Sequence, residues 1–465
     1  MMIGLGFVLA LAAGAPAPAG PPGPEFFAAH RSAFLSRLPE GSVAVLHAAP
    51  AGSEEVDVLY RQSSDFWYLT GLTEPDAVAV FRPGAPDGRS YFLFVRPRDF
   101  AQEQWTGWRT GVDGAKKDFG AGEAYPVDDF WKDLPKFSSG ARMLCYGDGG
   151  DAPFREQLLN QWRARDAQSA ELRPAADVGP LLHQARLVKD PAEQALLRRA
   201  AELSVGAHLA AMRAARPGAP EYAVQAAFEN VCTSGGAARN AYPPIVASGP
   251  NAVILHYEKN ERRMNAGEVI VNDSACEYQM YAADVTRSYP VSGAFSPEQR
   301  AIYQIVLEAQ KAGFARVKPG AAFHEVHDAT VDVVVDGLLK LGVLKGDRAE
   351  IIRKRAYAKF YPHGSSHWLG MNVHDVGSYG FTNPDAPRIE RYSMAQTKLA
   401  PGMALTVEPG IYIPNDAEGV DPKWRGIGVR IEDDVLVTPA GMDCLSCGAP
   451  REIADVEKAM RAKAR

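Results

Sequence analysis

Short apolar runs separated by turn-forming clusters mark the first third of the chain. S-V-A-V-L-H at 42–47, A-V-A-V-F at 77–81 and Y-F-L-F-V at 91–95 have strand length and strand composition. Clusters rich in Gly, Pro and Asp, such as R-P-G-A-P-D-G at 82–88, separate them. Residues 25–180 therefore read as one α/β unit. Between the first two runs lies Q-S-S-D-F-W-Y-L-T-G-L at 62–72, an aromatic patch expected in the core.

Beyond this unit the period changes. Residues 184–215 are patterned as a helix: Leu196, Leu197, Ala200 and Leu203 recur at helical spacing. Asp190 and Pro191 suit the N-cap and first helical position, with Glu193 in the first turn. Pro217-Gly218 ends this helix, and a second is predicted over Glu221–Ser234, closed by Gly235-Gly236. The domain boundary is placed near residue 185. From 240 to 440 strands alternate with helical segments near 297–314 and 323–342. A loose internal symmetry, without residue-level repeats, predicts two pseudo-equivalent halves forming a β sandwich.

A chain of 465 residues exceeds one ordinary core, so two or three domains are expected. With 46% hydrophobic and 23% charged residues the composition is that of a globular protein. A net charge of -6 and the lack of any long Lys/Arg run give no support for nucleic-acid binding. Residues 3–13 are an unbroken apolar run, too short to span a bilayer, followed by an Ala/Pro/Gly stretch to residue 24. The run fits a secretory signal with A-x-A sites at Ala10–Ala12 and Ala17–Ala19, which predicts export. Met1-Met2 supplies no basic n-region, so a disordered or mis-started leader on a cytoplasmic protein is the alternative. Either way residues 1–24 stand outside the fold. Of the five cysteines, Cys232 and Cys276 read as buried packing residues. Cys444 and Cys447 form a lone C-x-x-C, an incidental pair or, after export, a surface disulfide.

Asp273, Asp284, His367, Glu408 and Glu432 carry the chemistry, each within its own short signature: V-I-V-N-D, A-A-D-V-T-R, H-G-S-S-H, T-V-E-P-G and R-I-E-D-D. Four carboxylates and one imidazole suit two divalent cations, which about 3.5–4 Å apart activate a water and polarise a carbonyl. So oxygen-rich a set favours manganese over a thiolate-type zinc site. A hairpin turning at Glu277-Tyr278 brings Asp273 and Asp284 to one face. Solvated hairpin acids are the plain alternative, weakened by the apolar neighbours Val269, Ile270, Val271 and Val285. His363 and His367 form H-x-x-x-H without the glutamate of the zinc-protease H-E-x-x-H pattern, and His374 follows. Glu408 precedes Pro409-Gly410 and so ends a strand. Arg430 and Glu432 share one face of an alternating strand, with Asp433 and Asp434 expected in solvent. The set predicts metal-assisted amide hydrolysis.

I-L-H-Y at 254–257, C-E-Y at 276–278, H-G-S-S-H-W-L-G-M-N-V-H-D-V-G at 363–377, L-T-V-E-P-G-I-Y-I at 405–413 and R-G-I-G-V-R-I-E-D-D at 425–434 resemble aminopeptidase P, the Xaa-Pro aminopeptidases of the pita-bread metallopeptidase family. D-F-W-Y-L-T-G-L at 65–72 resembles its N-domain signature, so the likeness covers residues 25–455. It implies an α/β protein: a leader at 1–24, a creatinase/prolidase-like α/β domain at 25–184 and a pseudo-two-fold α+β pita-bread catalytic domain at 185–455. It also implies two divalent ions, most simply Mn²⁺, with Asp273 on one, His367 and Glu408 on the other, and Asp284 and Glu432 bridging. Glu408 would be the general base, His363 and His374 catalytic contacts, and His256, Arg430 and Tyr412 substrate contacts. Trp105 would reach a neighbouring subunit's site, implying a dimer or tetramer to which Trp108 and Phe66-Trp67-Tyr68 add apolar surface. The plain alternative packs these aromatics inside the N-terminal unit of a monomer. The family's usual Asp-Ala-Gly reads Asp273-Ser274-Ala275 here, which leaves every ligand in place. The implied substrate is a peptide with proline second, and no membrane span is expected. Prolidase, restricted to Xaa-Pro dipeptides, is the nearest rival; a non-catalytic pita-bread binding module is the more distant one.

Overall fold

The computed structural model describes residues 20, 22–52, 59–85, 89–164 and 173–461. The apolar run at 3–13 lies outside the described residues. Six strands form the N-terminal sheet: β1 Ser42–His47, β2 Val78–Phe81, β3 Tyr91–Val95, β4 Glu123–Pro126, β5 Met143–Gly147 and β6 Ala175–Asp177. Their order is β4-β3-β2-β1-β5-β6; β2 runs antiparallel to β1 and β3, and the other pairings are parallel. The three predicted strands read as continuous apolar runs because both faces are covered. Ala44, Leu46, Ala79 and Phe81 face an apolar cluster with Phe34 and Trp67. Val43, Val45, Val78 and Val80 face another with Phe130, Phe137 and Trp162.

The aromatic patch forms the helix Ser64–Thr70, and Phe66, Trp67 and Tyr68 are all buried. Its place in the core holds, and it offers no apolar surface to a neighbouring subunit. Trp67 reaches Tyr281 of the following domain, ring centroids 6.2 Å apart. Trp105 and Trp108 behave differently, remaining 87% and 80% exposed.

The helix expected over 184–215 is broken. Gly179–Leu187 ends first, and Pro191, which has no N–H to continue a helix, starts the next, Pro191–Ala214. Asp190 and Glu193 close a capping box at its start. Helix Glu221–Ser234 follows as predicted, then β7 Arg239–Asn240, β8 Ile245–Ser248, β9 Val269–Asp273, β10 Cys276–Tyr278, β11 Tyr281–Ala282 and β12 Thr286–Pro290. Helices Pro297–Phe314 and His324–Lys340 lead to β13 Ala404–Val407, β14 Gly410–Tyr412, β15 Gly428–Arg430, β16 Asp433–Thr438 and β17 Gly441–Cys444.

Three antiparallel three-stranded sheets, β7-β10-β11, β8-β9-β12 and β13-β16-β17, result, and the pair β14–β15 lies against β9 and β12. They do not stack as the expected sandwich. Helices 191–214 and 221–234 pack on strands of the first half and helix 297–314 on strands of the second, so amphipathic helices cover what a second sheet would have covered. Cys232 and Cys276 are buried as expected but are also joined in a disulfide, tying helix Glu221–Ser234 to β10. At a sequence separation of 44, only the approach of helix to strand reveals the pairing. Cys444 and Cys447 are bonded as well.

Ion pairs lock the two domains together. Arg186 reaches Asp65 at 2.7 Å and Asp375 at 2.5 Å, and Lys189 meets Asp375 at 3.1 Å. Burial disfavours the Asp375 charge, yet Lys189 and Arg186 hold its pKa below the ordinary value. Arg61 pairs with Glu277 at 2.7 Å and donates to the Met371 carbonyl at 2.6 Å.

His208, fully buried on helix Pro191–Ala214, has Nε2 3.0 Å from the Ser274 carbonyl and 2.9 Å from that of Val285. Burial, reinforced by Arg287, lowers its pKa from 6.5 to about 3. The unfolded chain gains a proton here that the folded chain refuses. Stability is therefore fully present above the unfolded value and declines as pH falls toward the folded one. We expect His208→Gln, which keeps an N–H donor, to flatten that decline by up to about 1.4 kcal/mol per pH unit. Urea midpoints compared at mildly acidic and neutral pH check it.

Candidate metal centre

Five separate segments deliver the five expected ligands to one cavity of about 100 Å³. Asp273 is the last residue of β9, and Asp284 lies in the link between β11 and β12. The turn between them is not at Glu277-Tyr278, which belong to β10, but at Gln279-Met280, whose φ values of 48° and 67° suit a tight reversal. In the β9–β12 ladder Asp273 faces Thr286, so Asp284 reaches the cavity from outside regular pairing. His367 sits in a segment running beside β13: Thr406 N–H donates to the His367 carbonyl at 3.0 Å, and Glu408 N–H to that of Ser365 at 2.8 Å. This pairing sets His367 next to Glu408, the first residue after β13. Glu432 occupies the break between β15 and β16, so the predicted continuous strand is interrupted at the ligand itself.

Asp433 and Asp434, expected in solvent, are fully buried. Asp433 pairs with buried Arg287 at 2.6 Å and with Arg451 at 3.2 Å. Asp434 accepts the Asp284 N–H with both carboxylate oxygens at 3.1 Å. Burial, with Asp284 adding to it, raises the Asp434 pKa well above its ordinary value. An alternation rule assigns faces within a strand and cannot see the cation that makes burial of an acid tolerable.

The donor set fits divalent ions. Asp273, Asp284 and Glu432 form one group whose ligand atoms lie within 4.8 Å of one another; His367, Glu408 and Glu432 form another, and Asp284, His367 and His374 a third. Glu432 and Asp284 are thus each shared between groups. His367 Nδ1 lies 3.0 Å from its neighbour Trp368's carbonyl, which leaves Nε2 as the ring nitrogen turned to Asp284 at 3.3 Å and Glu408 at 3.6 Å. Tyr242 Oη is 2.5 Å from Asp273 and 2.7 Å from Asp284, but one phenolic proton serves only one of them. Burial raises Glu408 to about 7, and burial with Asp284, Glu408 and Asp273 raises Glu432 well above the usual range. Burial works against the charged form of His367, yet Asp284 and Glu408 lift it to about 9. Such mutual repulsion is what a bound cation reverses.

The remaining expected residues divide. His363, His256, His374 and Arg430 line the cavity, the second and third at its exposed side. His363 Nε2 lies 2.9 Å from Tyr412 Oη. Arg430 donates to Asp273 at 2.5 Å, Tyr412 at 2.8 Å and Thr286 at 3.1 Å, so its guanidinium orients a ligand. Tyr412 stands behind His363 and Arg430, and Trp105 lies outside the cavity lining. Tyr242, Thr286 and Asp434 were not anticipated. Thr286 Oγ1 donates to Glu432 at 2.6 Å. A tyrosine preceding Pro243-Pro244 and a threonine inside a strand carry no local mark of such contacts; only Asp434, beside Glu432, had a positional hint.

Residues 195–439 match the model of metallopeptidase family M24, and residues 27–146 that of the aminopeptidase P N-terminal domain. The Xaa-Pro aminopeptidase of Escherichia coli (strain K12) is 39% identical, covering 93% of this chain and 97% of its own. Xaa-Pro aminopeptidase 3 of Mus musculus is 35% identical over 87% of this chain and 78% of its own. The structure of Pseudomonas aeruginosa aminopeptidase PepP superposes with a TM-score of 0.88 at 44% identity, covering 94% of this chain and 98% of that one.

If the five donors hold ions, metal stabilises the native state alone and the gain follows mass action. Adding Mn²⁺ to chelator-treated protein at about a hundredfold over its Kd should stabilise it by about 2.7 kcal/mol. Glu432→Gln, which removes a shared ligand, should abolish most of the accompanying rise in Tm. Scanning calorimetry with and without the ion measures both.

Proposed function

The chain belongs to metallopeptidase family M24, among its Xaa-Pro aminopeptidases, and from that premise we propose how its own residues divide the work. It is a dinuclear-metal aminopeptidase that releases the N-terminal residue from peptides with proline second. The observation behind this reading is the gathering of four carboxylates and an imidazole, from five segments, around one cavity. Two ions held by Asp273, Asp284, His367, Glu408 and Glu432 would supply Lewis acidity, acidifying a water and polarising the scissile carbonyl. The hardness of that set favours Mn²⁺.

Glu408 takes the proton of the attacking water and returns it to the departing proline nitrogen. Its support is position: it faces His367 and His363, each at 3.6 Å, inside the cavity. His363 and His374 donate to the carbonyl oxygen as negative charge develops there. Arg430, through Asp273 and Tyr412, keeps a ligand and the His363 side in register. His256 contacts the peptide at the open rim. A bond preceding proline has no N–H, so recognition has to rest on the ring and on the chain's free amino end.

Prolidase-like restriction to dipeptides is the second reading, and comparing Xaa-Pro with Xaa-Pro-Xaa peptides separates the two. Export is part of the proposal: residues 1–19 or 1–12 would be removed, and two disulfides suit an oxidising compartment. N-terminal sequencing of protein from its host should then find Gly20 or Ala13 at the start; an intact Met1 overturns it. We also propose a homo-oligomer in which exposed Trp105 meets a partner's cavity mouth.

Glu408→Gln should keep the fold and lose 10²-fold or more in kcat on a tripeptide with proline second, by roughly the worth of a general base. Activity within tenfold of the unmodified enzyme would move the base elsewhere. Trp105→Ala should raise KM with little change in Tm, because a rim contact and not a core residue is lost. Light scattering that shows a monomer, with KM unchanged, overturns the oligomer.

A further inference from the structure

We propose that Cys444 and Cys447 form a reversible dithiol–disulfide site whose closed form positions the metal ligands Asp284 and Glu432. The two disulfides of the chain differ in access. Cys232–Cys276 is fully buried, whereas Cys444 and Cys447 are half-buried at the end of β17. Arg451 Nη1 donates to Cys447 Sγ, and a guanidinium there stabilises a departing thiolate.

What lies between the two sulfurs gives the bond its consequence. Leu445 N–H donates to the Asp434 carbonyl at 2.8 Å. Ser446 is buried, donates its hydroxyl to Asp433 at 2.6 Å and accepts the Asp434 N–H at 3.0 Å. Asp434 in turn receives the Asp284 N–H. Two residues past the disulfide, the Ala449 carbonyl accepts from Arg287 at 3.0 Å, and Arg287 donates to the Glu432 carbonyl at 2.6 Å. The small ring closed by the disulfide is therefore one hydrogen bond from the two acids behind the centre and two from the Asp284 backbone, and Ala449 just beyond it is two from the Glu432 backbone. The reduced pair with Asp433 could group around an ion, all three within 4.8 Å. That would cost Asp433 its pairs with Arg287 and Arg451, so exchange chemistry is favoured.

The step balances with a dithiol as reductant. Its thiolate attacks Cys444 Sγ, the Sγ–Sγ bond breaks, and Cys447 leaves as a thiolate beside Arg451 and takes up a proton. The reductant's second thiol displaces Cys444 from the mixed disulfide. Two electrons and two protons end on the cysteines, and the reductant leaves as its own disulfide. Without the cross-link the 444–447 loop is freer, Ser446 holds Asp433 and Asp434 less often, and the ligands lose register.

The test uses folded, manganese-loaded protein treated with dithiothreitol. Its thiols are blocked and assigned by peptide mass spectrometry, and its retained Mn²⁺ is measured against a graded series of EDTA. The proposal rests on the two-ion reading for its second readout only. Expected are labels on Cys444 and Cys447 at least a hundredfold faster than on Cys232 and Cys276, and a fivefold or greater fall in the EDTA needed to strip half the metal, reversed on reoxidation. Cys444→Ala/Cys447→Ala should show the weakened retention permanently and ignore the reductant, which separates the disulfide from metal binding by dithiothreitol. Ser446→Ala should weaken retention with the disulfide intact. Labels that appear only on unfolding, or retention unchanged by reduction, overturn the proposal. Failure of the oxidised protein to hold any Mn²⁺ overturns the two-ion reading and this coupling together.

Discussion

Repulsion among Asp273, Asp284, Glu408 and Glu432 is the interaction the catalytic domain is arranged around, since all four face one cavity of about 100 Å³. Charges taken out of water attract or repel several-fold more strongly than they do in solvent, and an unpaired buried carboxylate costs several kcal/mol. The surroundings answer with donors at fixed points. Arg430 and Tyr242 reach Asp273, Thr286 reaches Glu432, and Asp284 offers its own N–H to Asp434. Divalent ions complete that compensation and convert a liability of folding into the reactive centre. Glu408 faces the imidazoles of His363 and His367, each at 3.6 Å.

The five candidate ligands that meet at the cavity were legible because each sits in a short local signature. Glu408 before Pro409-Gly410, and His367 in H-G-S-S-H-W, are short signatures whose residue types have few other uses in those settings. One helix start was legible for the same reason: Asp190-Pro191 reads as a cap, and the structure starts a helix there. What escaped depends on contacts between segments distant in sequence. Asp433 is buried against Arg287 and Asp434 against the Asp284 N–H, partners about 150 residues away in sequence. The Cys232–Cys276 bond, the role of Tyr242 and the covering of the sheets by helices instead of by one another are equally matters of packing. Periodicity registers which residues are apolar. It does not register which distant partner makes a polar residue buriable.

The N-terminal domain has its own sheet and one apolar cluster of its own, while the cluster on the sheet's other face runs on into the second domain. Its border is electrostatic as well as apolar. Arg186, on the connecting helix, is held between Asp65 of the first domain and Asp375 of the second, with Lys189 closing the group, and three of the four are almost fully buried. Asp375 directly follows His374 at the cavity, and its N–H donates to the Trp368 carbonyl, one residue past His367. A buried charge network with one member removed is worse than no network at all, because the remaining ions have neither water nor partner. A catalytic half cut free at this joint would therefore carry Arg186 and Lys189 to Asp375 without the Asp65 that completes the group.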